Sequence, residues 1–227
     1  QNRQLADSLY PYLRHENPTY RWLAARAFSS FRTEDAVDSL VPLLRDPWTE
    51  IRAQAAFALG QIKSESAEKL LIRAFERNDS LGQYTESNAA ILEAVGKCGG
   101  ERSLHHLTSI RTYLPSDTLL LLGQARGIYR FMLRGMTDSA GTVRMAHWLT
   151  QSIYPRSLRI LAADYLKRAN DIDLDGHLYG LRRTYRKGDD AEISSMLAYL
   201  LAKSGDRSAL GEYKKRWVEQ ASVNERC

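Results

Sequence analysis

The chain has 227 residues, 44% hydrophobic and 26% charged, with a formal net charge of +5, a globular composition long enough to bury a core as one domain or as a row of stacked units. Two cysteines, Cys98 and Cys227, leave no disulfide framework and no CxxC motif, and no apolar run reaches membrane-spanning length, since Leu119 to Leu122 runs into Gly123 and Gln124. Charge is uneven: residues 1–100 carry 12 Lys/Arg against 13 Asp/Glu and residues 101–227 carry 20 against 14, a modest basic field that could meet nucleic acid, anionic lipid or acidic protein but that a solvated surface explains better.

In chain order, the first signal is a repeat. "DSLYPYLR" (Asp7 to Arg14) returns as "DSLVPLLR" (Asp38 to Arg45), 31 residues later. Then "YRWLAARAFSSF" (Tyr20 to Phe31) aligns with "IRAQAAFALGQI" (Ile51 to Ile62), with Arg21 matching Arg52. Each repeat reads as two helices, A and B. In the second, Leu40, Val41, Leu43 and Leu44 form the apolar side of helix A, Asp35 is the expected N-cap, and Pro42 should bend the helix. Helix B places Ile51, Ala55, Ala56, Leu59 and Ile62 on one buried stripe, and "DPWTE" (Asp46 to Glu50) turns between the two.

This pattern resembles the HEAT repeat, whose signature is a proline in helix A, Asp-Pro in the turn, Val/Ile-Arg opening helix B, then Ala-Ala-x-Ala-Leu-Gly. Asp46, Pro47, Ile51, Arg52, Ala55, Ala56, Ala58, Leu59 and Gly60 match it, while the first repeat departs with "HENP" in the turn and Ser29 for Gly. Weaker copies follow, "SAEKLLIRAFERND" with "NAAILEAVGKCG", then "ERSLHHLTSIRTYL" with "TLLLLGQARGIYRFML", the latter in ambiguous register. The expected architecture is an all-α, right-handed α-solenoid of about six helix pairs, a single run at about 4–31, 35–63, 65–99, 101–134, 141–169 and 176–204, with a partial pair at 206–222.

More narrowly, "YPYLRHENPTYRWLAARAF", "ILEAVGKCG" and "GQARGIYRFMLRGMT" are similar to the amino-terminal HEAT region of exported bacterial proteins that carry a cyclophilin-type peptidylprolyl isomerase domain farther along. The resemblance implies an exported or cell-envelope location and a parent protein that continues. It implies no chemistry by these residues, because nothing here resembles the isomerase domain.

Motifs for chemistry are sparse. "NDIDLDGHLYGLRR" (Asn170 to Arg183) opens like a calcium loop with Asp171, Asp173, Asp175 and Gly176, but Arg182 stands where a bidentate Glu belongs, so a turn is expected, pinned by Ile172 and Leu174. His105 and His106 are adjacent and point about 100° apart on a helix; His15-Glu16 lies in a turn. Gly123 and Gly127, one helical turn apart, suit close helix packing. Arg21, Arg52 and Arg159 are expected to pair with turn aspartates such as Asp46. No catalytic constellation, metal set or cofactor motif emerges.

The expected function is therefore a non-catalytic scaffold that binds a protein or peptide on its concave face. The outward line of the B helices gives the candidate contacts: Trp22 and Arg26, Phe57 and Gln61, Glu93 and Lys97, Asp164 and Arg168, Tyr199 and Lys203. Trp22 and Phe57 suit packing against the neighbouring repeat equally well. Nucleic-acid binding in the manner of HEAT-like DNA glycosylases is the second reading, resting on residues 102–168 with ten Lys/Arg and three Asp/Glu; it lacks a Trp-rich cluster beside an Asp. The oligomeric state is left open.

Overall fold

The computed structural model describes residues 2–170 and 172–206 together with residues 211 and 214. Asp171, Cys227 and most of the partial pair expected at 206–222 lie outside the described residues. Among the described residues up to 206, twelve α-helices fall into six antiparallel pairs and no strand occurs. They divide into two compact units, Gln1–Met136 and Thr137–Cys227.

The amino-terminal unit holds four pairs. The first is α1 (Asn2–Leu9) with α2 (Pro18–Phe31), the second α3 (Val37–Leu40) with α4 (Thr49–Ile62). The third is α5 (Glu65–Ala74) with α6 (Thr85–Cys98), the fourth α7 (Glu101–Ser109) with α8 (Thr118–Leu133). Both early prolines act at the same place. Pro11 and Pro42 sit at the start of 3-10 turns, Tyr10–Arg14 and Val41–Arg45, that follow α1 and α3. A proline cannot donate to the preceding turn and its ring crowds the carbonyl four residues back, so helix A finishes as a tighter coil. Asp35 does not cap α3: it lies inside a 3-10 turn, Glu34–Ala36, that enters the helix, and Ala36 holds the cap position. Helix α2 has both standard start signals, Pro18 at its first position and the Asn17 side chain accepting from the Thr19 N–H at 2.9 Å.

The B helices α2, α4, α6 and α8 pack side by side in sequence order, forming one layer, with the A helices behind. Contact within this layer is very close. A Cβ on Gly96 would lie 2.2 Å from the Gly127 carbonyl oxygen, and one on Gly123 would lie 2.5 Å from that of Ala89. Gly123 and Gly127 thus serve backbone-to-backbone packing of α8 on α6.

The turns at the start of the B helices are tied by arginine. Arg21 forks onto Asp46 of the next turn, Nε to Oδ2 at 2.7 Å and Nη2 to Oδ1 at 3.1 Å, and donates to its own turn at the carbonyls of His15 and Glu16, both 2.8 Å. Arg52 repeats the device, donating to the Asp46 and Pro47 carbonyls (2.8 and 3.1 Å) and onward to Gln83 O at 2.6 Å, with its guanidinium 4.6 Å over the Tyr84 ring. Beyond that point the connections lengthen, to residues 75–84 and 110–117, each anchored by a buried amide. Asn88 exchanges two hydrogen bonds with the Glu76 backbone (3.0 and 2.8 Å), and Gln124 Nε2 donates to the Leu107 and Ile110 carbonyls (2.7 and 3.2 Å).

The carboxy-terminal unit pairs α9 (Ser139–Thr150) with α10 (Arg156–Arg168) and α11 (Leu178–Lys187) with α12 (Ala191–Lys203). Arg159, the counterpart of Arg21 and Arg52, donates to Leu149 O at 3.2 Å instead of to an aspartate. The aspartate-rich segment is a connector. Leu174 is buried, Ile172 half-buried, and Asp173 Oδ1 accepts from the Asp175 N–H at 2.8 Å before a 3-10 turn enters α11. Arg182 is engaged by Asp206.

Because Asp46 is 7% exposed and its carboxylate also accepts from the Trp48 N–H, Asp46→Ala leaves the Arg21 guanidinium without its counter-charge and held only by two carbonyls. Chemical denaturation should register a loss of about 3 kcal/mol. Replacing the exposed neighbour Arg45 by Ala should change stability by less than about 0.5 kcal/mol.

Candidate functional site

A B helix in the middle of the layer is flanked by another on each side and backed by A helices, so its buried band is wide and its open strip narrow. On α4, burial takes Ile51, Arg52, Ala55, Ala56, Ala58, Leu59 and Gly60. The open strip holds Ala53, Phe57 and Gln61, of which Phe57 is 38% exposed and the others half-buried. On α2 the strip holds Trp22, half-buried, and Arg26, exposed, with the guanidinium 5.2 Å above the indole. Neither aromatic is core, and each carries a cation on its face.

Helix α6 brings the charges together. Lys97, expected to point outward, is only 5% exposed: its ammonium lies 4.2 Å from the Phe57 ring centroid and 3.3 Å from Glu93 Oε1. The four-carbon stem lets the side chain lie back over the neighbouring helix instead of standing into solvent. Glu93 also receives Arg130 from α8, Nη2 at 2.9 Å and Nε at 3.2 Å from Oε1, with Arg126 Nη1 3.9 Å from Oε2. Burial by itself would raise the Glu93 carboxyl, but Lys97 and Arg130 outweigh it and hold it below the usual carboxylate range. Burial pulls the Lys97 ammonium below the ordinary lysine value despite Glu93. Phe57, Glu93 and Lys97, named from the sequence, thus form one cluster with Arg126 and Arg130, which the ambiguous register of the fourth pair concealed.

At the C-terminal ends of the same helices a small pocket of about 200 Å³ is lined by Arg32, Gln61, Lys63, Lys97, Arg130 and Arg134. Arg32 caps α2 and Lys63 caps α4, both in the left-handed region at φ +53° and +61°. Glycine takes such a cap freely, whereas a side chain costs about 1 kcal/mol. Arg134 donates to the Gly96 and Gly99 carbonyls at 3.2 and 2.8 Å, closing the end of α6.

A second concavity in this unit is lined from the two long connectors. A polar cleft of about 860 Å³ runs past Asn78, Asp79, Thr112 and Tyr113, and meets an apolar pocket of about 270 Å³ among Ile72, Phe75, Leu92, Leu107 and Ile110. The repeat pattern does not foretell it, because it arises where the connectors depart from the repeat.

In the carboxy-terminal unit, Asp164 and Arg168 pair across one turn of α10 at 2.9 Å, and Tyr199 on α12 is 50% exposed with the Lys167 ammonium 5.6 Å over its ring. Lys203 is committed elsewhere. Its ammonium donates to the carbonyls of Ala169 and Lys167 at 2.6 and 3.1 Å, closing the end of α10.

The remaining candidates have local partners. His15 Nδ1 accepts from the Asn17 N–H at 3.0 Å, and its ring meets Tyr12 and Tyr20. Cys98 is buried, which pushes its thiol up to about 12 and leaves it a poor nucleophile. Among the described residues no three His, Cys, Asp or Glu side chains converge as metal ligands, and no helix is long and apolar enough to cross a membrane. Several cations of residues 102–168 are engaged: Arg130 by Glu93, Arg156 by Asp190 and Glu192, Arg159 by Leu149 O, and Arg168 by Asp164.

Comparison with known proteins supports the helical-repeat reading. Residues 6–82 match the family model of HEAT repeats. Two engineered proteins of solved structure align with TM-scores of 0.55 at 18% and 16% identity, covering 87% and 88% of this chain and 97% and 96% of theirs. The complex of CpcE and CpcF of phycocyanin lyase from Nostoc sp. PCC7120 aligns with a TM-score of 0.53 at 18% identity, covering 87% of this chain and 81% of that one. At such identities the likeness is one of fold. No curated protein matches.

Glu93 is the one acid in its cluster with three cations around it. Glu93→Gln should therefore cost about 2 kcal/mol at neutral pH by leaving Lys97 buried without a counter-charge. A carboxyl held below its ordinary 4.5 contributes stability that is complete above that value and is lost as pH falls through the lowered one. Denaturation curves should show a constant gap between wild type and Glu93→Gln at neutral and mildly acidic pH. The gap should close only below the ordinary carboxylate range.

Proposed function

We infer that the chain is a non-catalytic scaffold that binds a protein or peptide on the open strip of its B helices. One observation carries the reading: in the amino-terminal unit the strip gathers Trp22, Arg26, Phe57, Glu93, Arg126 and Arg130, aromatics topped by cations beside a multiply paired carboxylate. Aromatic and arginine side chains offer large contact area for little lost rotamer entropy, which is why they dominate binding hot spots. In the carboxy-terminal unit Tyr199 and Lys167 offer a smaller version, and Asp164 with Arg168 a charged rim. Lys203 contributes by fixing the helix end beneath them.

A repeat fold related to a solved complex of two proteins suits a partner-binding role. Nucleic acid fits less well, since Arg130, Arg156 and Arg168 of the basic stretch at 102–168 are held by Glu93, Asp190, Glu192 and Asp164, and the stretch spans the boundary of the two units. The exported, isomerase-linked parent rests on the sequence resemblance of residues 5–145, and in that setting this region would hold partners or substrates for a domain elsewhere.

The test is the double variant Trp22→Ala/Phe57→Ala with affinity measured for a partner recovered by pull-down. Phe57 is exposed and Trp22 half-buried, so the double variant should keep its helicity and melt somewhat lower while affinity drops by about 2 kcal/mol or more. Undiminished affinity in a folded double variant would place the contact surface elsewhere.

A further inference from the structure

The C-terminal ends of the B helices carry a feature that the scaffold reading does not require. Arg32, Lys63, Lys97, Arg130 and Arg134 line one small pocket, and no carboxylate is part of that lining. Glu93 neutralises one charge through Lys97 and Arg130. The partial negative charge of a helix C-terminus attracts cations, and Arg134 acts in that way, on the Gly96 and Gly99 carbonyls. The same field acts on Arg32 and Lys63, at the caps of α2 and α4, but leaves their side-chain donors unused. Among the described residues neither side chain makes a hydrogen bond or ion pair, and each occupies a positive-φ cap, at +53° and +61°. Two successive repeats thus put a cation, not a glycine, at a position where glycine would relieve strain. Lys97 also lines the pocket, with its ammonium turned to Glu93 and the Phe57 ring.

We propose that this pocket binds carboxylates of an acidic peptide, gripped by Arg32 and Lys63 with Gln61, Arg130 and Arg134 lining it. The proposal rests on the peptide-binding reading of the same face and names the chemistry of the partner. A volume of about 200 Å³ accepts one or two carboxylate groups. The nearby aromatic face of Phe57 is already taken by Lys97, so the stacking platform that single-stranded nucleic acid uses is absent from this pocket. Arginine forks and lysine point charges give charge-assisted bonds to carboxylates arriving from solvent.

The experiment is fluorescence polarisation with a labelled Glu-rich peptide, its Gln-rich counterpart and a phosphoserine-containing counterpart, on wild type and Arg32→Gly/Lys63→Gly. Glycine at both caps removes the charges and relieves the backbone, so the variant should melt at or above the wild-type temperature. The expected result is binding of the Glu peptide that weakens with ionic strength, little binding of the Gln peptide, and a loss of about tenfold or more in the glycine variant. Equal binding of Glu and Gln peptides, or unchanged Glu-peptide affinity in the glycine variant, would overturn the proposal. A clear preference for the phosphoserine peptide would overturn the carboxylate assignment in favour of phosphoryl groups. The two readings fail separately. If the recovered partner needs Trp22 and Phe57 but the Glu peptide does not bind, only the pocket is refuted. If the Glu peptide needs Arg32 and Lys63 while the partner ignores Trp22 and Phe57, the pocket stands and the aromatic contact surface falls.

Discussion

The closeness of the B helices constrains everything else in the amino-terminal unit. Where α6 meets α8 there is no room for a single Cβ at Gly96, Gly123 or Gly127. Such contact replaces side-chain interdigitation with backbone packing, and it brings residues on adjacent helices within reach of one another at their open edges. Arg130 can meet Glu93 because the α6 and α8 axes are so near, and Lys97 can cross to Phe57 because Gly60 brings α4 as close on the other side, where a Cβ would lie 2.8 Å from Ala94 Cα. With bulkier residues along that seam, the same polar side chains would be separated by a layer of apolar packing.

The two ends of these helices are chemically unlike. At the N-terminal end, each arginine is matched: Arg21 to Asp46 and two carbonyls, Arg52 to three carbonyls and a tyrosine face. Those bonds fix one turn against the next and leave little free charge. At the C-terminal end, positive charge accumulates beyond what the helix ends absorb. Buried charge that is fully bonded serves architecture, whereas charge held in the open and at a conformational cost is available to a partner. The same side-chain type thus does opposite work at opposite ends of one helix.

Much of this was legible in the sequence where the signal is local. Proline in helix A, Asp-Pro before helix B and the alanine stripe of α4 set helix positions by steric and hydrogen-bond rules that act within a few residues. The role of Gly123 and Gly127 followed from their spacing. What lay hidden depends on neighbours distant in sequence. Lys97 reads as an exposed lysine until α4 supplies Phe57, and Glu93 reads as a surface acid until α8 supplies Arg126 and Arg130, whose register the weak fourth repeat left open. Arg32 and Lys63 give no hint of a left-handed cap, since glycine is the residue that announces one. Asp35 misled in the other direction, as a good capping residue that the 3-10 entry to α3 displaced.

The central claim is that the working surface of the amino-terminal unit lies on the open edges of its B helices and not in the cleft between the long connectors. The most direct measurement is a titration of the isotope-labelled chain with the Glu-rich peptide, followed by backbone amide chemical shifts. The account predicts that the largest changes fall at Arg32, Gln61, Lys63, Lys97, Arg130 and Arg134. Changes concentrated at Ile72, Phe75, Asn78, His106 and Tyr113, with the B-helix ends unmoved, would contradict it.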